Sequence, residues 1–154
     1  MLGKSLIPLL LILGVSTSAA LAAGTSSTST KPAAAPYAKA VQAIKKKKFD
    51  RAIVLLRKVV RSKPSDADAW NQLGFSYRKT DRLDEAFTAY GKALAIDPGH
   101  RGANEYLGEL YLRTKQPKKA RERLAKLKSA CFFGCEEFDD LKKQIEAYEA
   151  RMGQ

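Results

Sequence analysis

One histidine, His100, and two cysteines, Cys131 and Cys135, are the whole supply of imidazole and thiol in 154 residues. That stock builds neither a His-rich nor a four-thiolate zinc site from this chain alone. Six prolines and ten glycines are too few for a collagen-like or low-complexity chain. There is no G-x-S-x-G elbow, no phosphate-cradling glycine loop ending in Lys-Ser/Thr and no H-E-x-x-H metal helix. No nucleophile lies beside a base, so catalysis, a resident cofactor, a metal and a small-molecule substrate are all not expected. The length suits one domain with appendages and is too short for a TIM barrel. Acid is also scarce: 16 Asp+Glu against 28 Lys+Arg give a formal charge of +12.

The only long apolar run lies at the start. Residues 1–23 read MLGKSLIPLLLILGVSTSAALAA, with Lys4 first, an apolar run from Leu6 to Val15, then small residues ending Ala20-Leu21-Ala22. This order is that of a secretory signal peptide, expected over 1–22 with cleavage after Ala22. The run is short for a ~20-residue membrane span, though an uncleaved anchor is the alternative. Residues 23–35 are rich in Ser, Thr, Ala and Pro, without periodicity, and are expected to be a flexible leader. The expected setting is therefore exported and oxidising, a bacterial periplasm. Export argues against nucleic acid as a partner despite the charge.

A 34-residue period runs through the remainder. Trp70-Asn71-Gln72-Leu73-Gly74 aligns with Asn104-Glu105-Tyr106-Leu107-Gly108; Tyr77 then falls over Tyr111 and Ala86 over Ala120. The frames are 33–66, 67–100 and 101–134. In the middle frame Trp70, Leu73, Gly74 and Tyr77 share one helical face, and Leu83, Ala86, Phe87, Tyr90 and Leu94 share another. Two amphipathic helices per frame follow, seven in all: 36–46, 49–62, 67–79, 83–95, 101–113, 117–129 and 135–151. Gly74 and Ala86 are small enough for close helix contact. Thr80 or Asp81 is expected to cap the fourth helix and Ser65 with Asp68 to form a capping box at the third. Phe138, Leu141, Ile145 and Tyr148 make residues 135–154 a non-repeat capping helix.

The middle frame resembles a tetratricopeptide repeat. The pattern W-x2-L-G-x2-Y…A…Y…A…P is met by Trp70, Leu73, Gly74, Tyr77, Ala86, Tyr90, Ala93 and Pro98. The third frame keeps Leu107, Gly108, Tyr111 and Ala120; the first keeps Ala40, Ala52 and Pro64, with Pro36 at the tryptophan position. The resemblance implies an all-α, right-handed α-solenoid of three helical hairpins over 36–134 plus the cap, and a role in protein–protein interaction.

It also implies a groove along the first helix of each hairpin. The candidate groove residues are Tyr37, Asn71, Gln72, Phe75, Lys79, Glu105, Tyr106, Glu109 and Arg113, with Val41, Ile44, Arg78 and Leu112 at equivalent positions. Aromatic, amide and charged groups together suit an extended or helical peptide. Some relatives grip a chaperone's terminal carboxylate there with Lys, Asn and Arg. The matching positions hold Tyr37, Val41, Gln72, Gly102 and Tyr106, so that activity is not expected.

Charge is unevenly placed. Residues 31–63 hold 11 basic and 1 acidic side chain, while 135–154 hold 3 and 6. The run Lys45-Lys46-Lys47-Lys48 could dock on anionic lipid or an envelope polyanion, or simply be a solvated face. In an oxidising space Cys131 and Cys135, either side of a Gly turn, are expected to pair. A thiol–disulfide activity is the alternative, although C-x3-C lacks the spacing of thioredoxin-like sites.

Overall fold

The structure is a computed structural model that describes residues 34–153. The expected signal peptide and the leader up to residue 33 lie outside the described residues. Seven helices follow in order: α1 Ala34–Lys45, α2 Phe49–Ser62, α3 Ala67–Lys79, α4 Leu83–Ile96, α5 Arg101–Arg113, α6 Pro117–Ala130 and α7 Glu136–Met152. The last two residues assigned to the leader, 34 and 35, are already helical. Pro36 does not shorten α1, because it sits in the first turn, where its missing N–H has no intrahelical partner.

Consecutive helices pack as antiparallel neighbours, α1 on α2 through α5 on α6. The first helices also touch one another, α1 with α3, α3 with α5 and α5 with α7, whereas α2, α4 and α6 do not. A ribbon tighter on one side curves, so α1, α3, α5 and α7 line its inner face. The chain is thus an all-α solenoid.

The repeat is visible in the backbone as well as the side chains. Lys47, Asp81 and Lys115 all take the left-handed conformation, at φ 55°, 61° and 58°, one in each intra-hairpin turn and 34 residues apart. Thr80 and Thr114 end α3 and α5 and donate their hydroxyls back to the carbonyls of Ser76, Tyr77, Leu110 and Tyr111. The expected N-cap role of Thr80 or Asp81 is therefore wrong: the left-handed turn places Arg82 at the start of α4, and no side chain caps it. Likewise Asp66, not Ser65, caps α3, its carboxylate accepting from the Ala69 N–H at 2.9 Å. Thirty-four residues on, His100 does the same for α5 with Nδ1. Its Nε2 meets Asp68 at 3.1 Å, stitching α5 to α3. Trp70 donates its indole N–H to the Pro64 carbonyl, and Asn104, in the tryptophan's place, donates to Pro98. One repeat position thus makes one hydrogen bond with two chemistries.

The core is in two parts. The larger runs from Ala40 through Leu56, Leu73, Tyr77, Ala86, Tyr90 and Ala93 to Leu107 and Leu110. Gly74 makes it possible: a Cβ there would stand 2.7 Å from the Tyr90 ring. The smaller part gathers Leu112, Ala120, Leu127, Cys131, Leu141 and Ile145 under α7. Leu141 is fully buried against Gly108, where a Cβ would lie 2.5 Å from its methyl. Burying one such leucine contributes about 1.5–3 kcal/mol.

The capping helix α7 packs over the third hairpin and keeps part of the repeat spacing. Phe138, Leu141 and Ile145 follow Asn104, Leu107 and Tyr111 by 34 residues, and α7 packs on α5 and α6 as a fourth first helix would. It differs at Lys142, where the three hairpins hold the small residues Ala40, Gly74 and Gly108.

Candidate functional site

The inner face carries an aromatic strip. Phe75 of α3 lies 5.2 Å from Tyr106 of α5 and 6.1 Å from Phe49, ring centroid to centroid. Phe49 starts α2 and was not foreseen; it arrives because α2 packs on α3. Cations border the rings: the Arg78 guanidinium sits 5.6 Å from the Phe75 centroid and 5.3 Å from that of Tyr106, and Lys79 Nζ lies 5.3 Å from Phe75. Such contacts contribute about 0.5–1 kcal/mol each where solvent reaches them. Both rings are half-buried. Burial beside Glu105 and Glu109 raises the Tyr106 hydroxyl above its ordinary pKa.

Arg78 is held in place by an ion pair with Glu109, whose carboxylate also accepts from Gln144 Nε2 of α7 at 2.5 Å. Glu109 therefore ties three inner helices together. Arg113 turns away from the strip: it donates to the Arg78 carbonyl at 3.2 Å and pairs with Asp81, holding the end of α3. Leu112, expected on the groove, belongs to the second core. Tyr37 packs against the main core near the start of α3, where burial and then Asp68 and Asp66 raise its hydroxyl pKa.

Asn71, Gln72, Glu105 and Tyr106 come together at the carboxyl-terminal end of the face. With Glu136, Glu137 and Asp140 of α7 they surround a cleft of about 240 Å³. Glu105 is 8% exposed, and burial with the neighbouring carboxylates of Glu109, Asp140 and Glu137 pushes its carboxyl up to about 8. The α7 acids escaped the sequence analysis because that helix was not placed in the 34-residue frame. The frame puts Glu136 and Asp140 under Gly102 and Tyr106, both groove positions.

At the other end Lys45, Lys46, Lys47 and Lys48 are all exposed. Lys46 and Lys48, with Lys39 and Arg51, surround a cleft of about 290 Å³. Cys131 and Cys135 form a disulfide, with Cα atoms 5.6 Å apart and Cys131 buried in the second core. The loop it closes holds Phe132 and Phe133 in water, 88% and 97% exposed. No helix among the described residues is long and apolar enough to cross a membrane.

Two tetratricopeptide repeat models match residues 37–101 and 77–145. The chain belongs to the tetratricopeptide repeat family. It is 36% identical over 76 residues to the peroxisomal targeting signal receptor of Candida albicans, covering 49% of this chain and 13% of that one. It thus spans a small fraction of that curated relative's length. A solved structure of MamA, residues 41 to the end, from Desulfovibrio magneticus RS-1 is 30% identical, with a TM-score of 0.60 over 63% of this chain and 55% of that one. The Yersinia enterocolitica type III secretion chaperone SycD, solved with a peptide of the translocator YopD, shares the fold at 16% identity. Its TM-score is 0.67 over 78% of this chain and 91% of that one.

Proposed function

We propose that this is an exported, non-catalytic recognition module whose inner face holds a peptide or helix of a protein partner, as a scaffold or adaptor. The observation that carries the reading is the strip of Phe75 and Tyr106 bordered by Arg78 and Lys79. Half-buried rings on a rigid helical wall lose little conformational freedom when a ligand covers them, which suits them as anchors. The fold supports the reading, since SycD was solved with a peptide bound. The buried position of Cys131 supports a structural rather than a redox role for the disulfide, because an attacking thiolate must be accessible.

The test is a pull-down from native envelope with the mature chain, comparing wild type with Phe75→Ala/Tyr106→Ala. The double variant should lose partner recovery at least tenfold while circular dichroism still shows a folded helical protein. Undiminished recovery would remove the groove from the function. Mass spectrometry of the same envelope material should find a chain beginning near residue 23; one retaining residues 1–22 would overturn cleavage.

A second reading is favoured by the cleft of Lys39, Lys46, Lys48 and Arg51, which suits an anionic surface. It requires vesicle binding that weakens steeply with salt and disappears when Lys45 to Lys48 are changed to Gln.

A further inference from the structure

The cleft between α3, α5 and α7 is chemically one-sided. Glu105, Glu136, Glu137 and Asp140 line it with the amides Asn71 and Gln72, and no Lys, Arg or His does. A cluster of exposed acids needs no explanation, but two members of this group are not exposed. Glu105 is 92% buried, and among the described residues it has neither a hydrogen bond nor an ion pair. Asn71 is 95% buried, and its Oδ1 accepts nothing. Leaving the Asn71 Oδ1 unsatisfied costs about 1–3 kcal/mol, while the Glu105 carboxyl group opens only on the cleft. Arg78, the nearest cation, is turned to Glu109. In a chain of net charge +12, a carboxyl group this buried, lining a cleft with three further acids and no cation, is a place that an incoming cation can ionise and occupy.

We infer that this cleft is a subsite for a basic side chain, Lys or Arg, of the peptide that lies on the inner face. An ammonium brings three donors and a guanidinium five, and both carry the positive charge that the cleft lacks. Either can pair with the Glu105 carboxylate while the outer acids of α7 steer it in. Tyr106 lines the cleft and Phe75 packs on Tyr106, so one peptide can place an apolar anchor on the strip and a cation beyond it. The partner therefore bears a positive charge next to its anchor, the opposite of a terminal carboxylate ligand. The inference rests on the groove reading above.

The experiment uses the mature chain and three synthetic peptides of about twelve residues. They share one tyrosine and two leucines and differ only in two central residues: Lys, Gln or Glu. Fluorescence anisotropy should give the Lys peptide at least about tenfold tighter binding than the Gln peptide, with the Glu peptide weakest. In Glu105→Gln/Asp140→Asn the three should converge to within about twofold, the fold being checked by circular dichroism. Lys46→Gln/Lys48→Gln, at the far end, should keep the wild-type order. Equal affinities in the wild type would overturn the subsite and leave the groove standing. Failure of all three peptides to bind would overturn both. Calcium or magnesium chloride displacing the Lys peptide at micromolar concentration would overturn it in favour of a metal ion.

Discussion

At the amino-terminal end of the solenoid, between α1 and α2, Lys39, Lys46, Lys48 and Arg51 surround one cleft, and toward the carboxyl-terminal end of the inner face Glu105, Glu136, Glu137 and Asp140 surround another of similar size. One cleft lies within a single hairpin and the other spans three first helices, and their burial differs as well. The four cations are carried on flexible stems, and Lys46, Lys48 and Arg51 stand in open water, where charge is cheap to keep and weak in effect. Glu105 is fixed on a buried helix face, where charge is costly and its effects are strong. The ends also differ beneath the surface: the first two hairpins rest on the main core, while α6 and α7 rest on a smaller one. Charge alone thus says little about a solenoid surface; charge together with desolvation says where recognition is specific.

The largest expected effect tests whether the two cores are separable. Leu141→Ala empties a fully buried site and should cost about 2–5 kcal/mol. Hydrogen exchange should show α7 and the end of α6 losing protection while α2 to α4 keep theirs. Equal loss in all helices would show one cooperative unit and erase the contrast. Next in size, Gly74→Ala should cost about 1–3 kcal/mol, because its Cβ meets the flat Tyr90 ring in the middle of the main core. Gly108→Ala should cost less, since the Leu141 methyls can swing aside. Denaturant midpoints of the two variants measure the difference, and the reverse order would make the terminal core the tighter one.

The smallest effect concerns pH. Burial raises the Glu105 carboxyl from 4.5 to about 8 in the folded chain, so folding favours its neutral form. The stability that this form allows is full below about pH 4.5 and declines as pH rises to about 8. Glu105→Gln should therefore match wild type near pH 4 and exceed it by about 1 kcal/mol or more near pH 9. Urea unfolding at the two pH values reads this directly. Lys46→Gln at the exposed end should change stability by less than about 0.5 kcal/mol at both. A pH-independent Glu105→Gln would mean that the carboxylate is already satisfied.

Much of the fold could be read in the sequence because the repeat is written in apolar residues at fixed spacing. Trp70, Leu73, Gly74 and Tyr77 announce both the period and the close packing. The caps were less legible, since Ser65, Asp66, Thr80 and Asp81 are all competent cappers; the Asp66 carboxylate on the Ala69 N–H decides at α3 and the left-handed backbone at Asp81 decides at α4. The aromatic strip was legible at Phe75 and Tyr106, which share a face by periodicity. Phe49 was not, because it belongs to a second helix and reaches the strip only through the packing of α2 on α3. The acidic cleft was hidden for another reason. Glu105 was recognised as a groove residue, but its burial comes from α7, and the register of α7 shows only through Phe138, Leu141 and Ile145.

The left-handed residues Lys47, Asp81 and Lys115 bear on how such a molecule can change its reach. Because every hairpin turns through the same backbone geometry, a duplicate of residues 67–100 spliced in after Gly99-His100 would meet matching surfaces on both sides. The ruler would lengthen by one division while its lysine tip and its acidic tip stayed as they are. The length of the inner face and the charge at its ends are therefore separate variables, one set by how many hairpins are copied and the other by the two end elements.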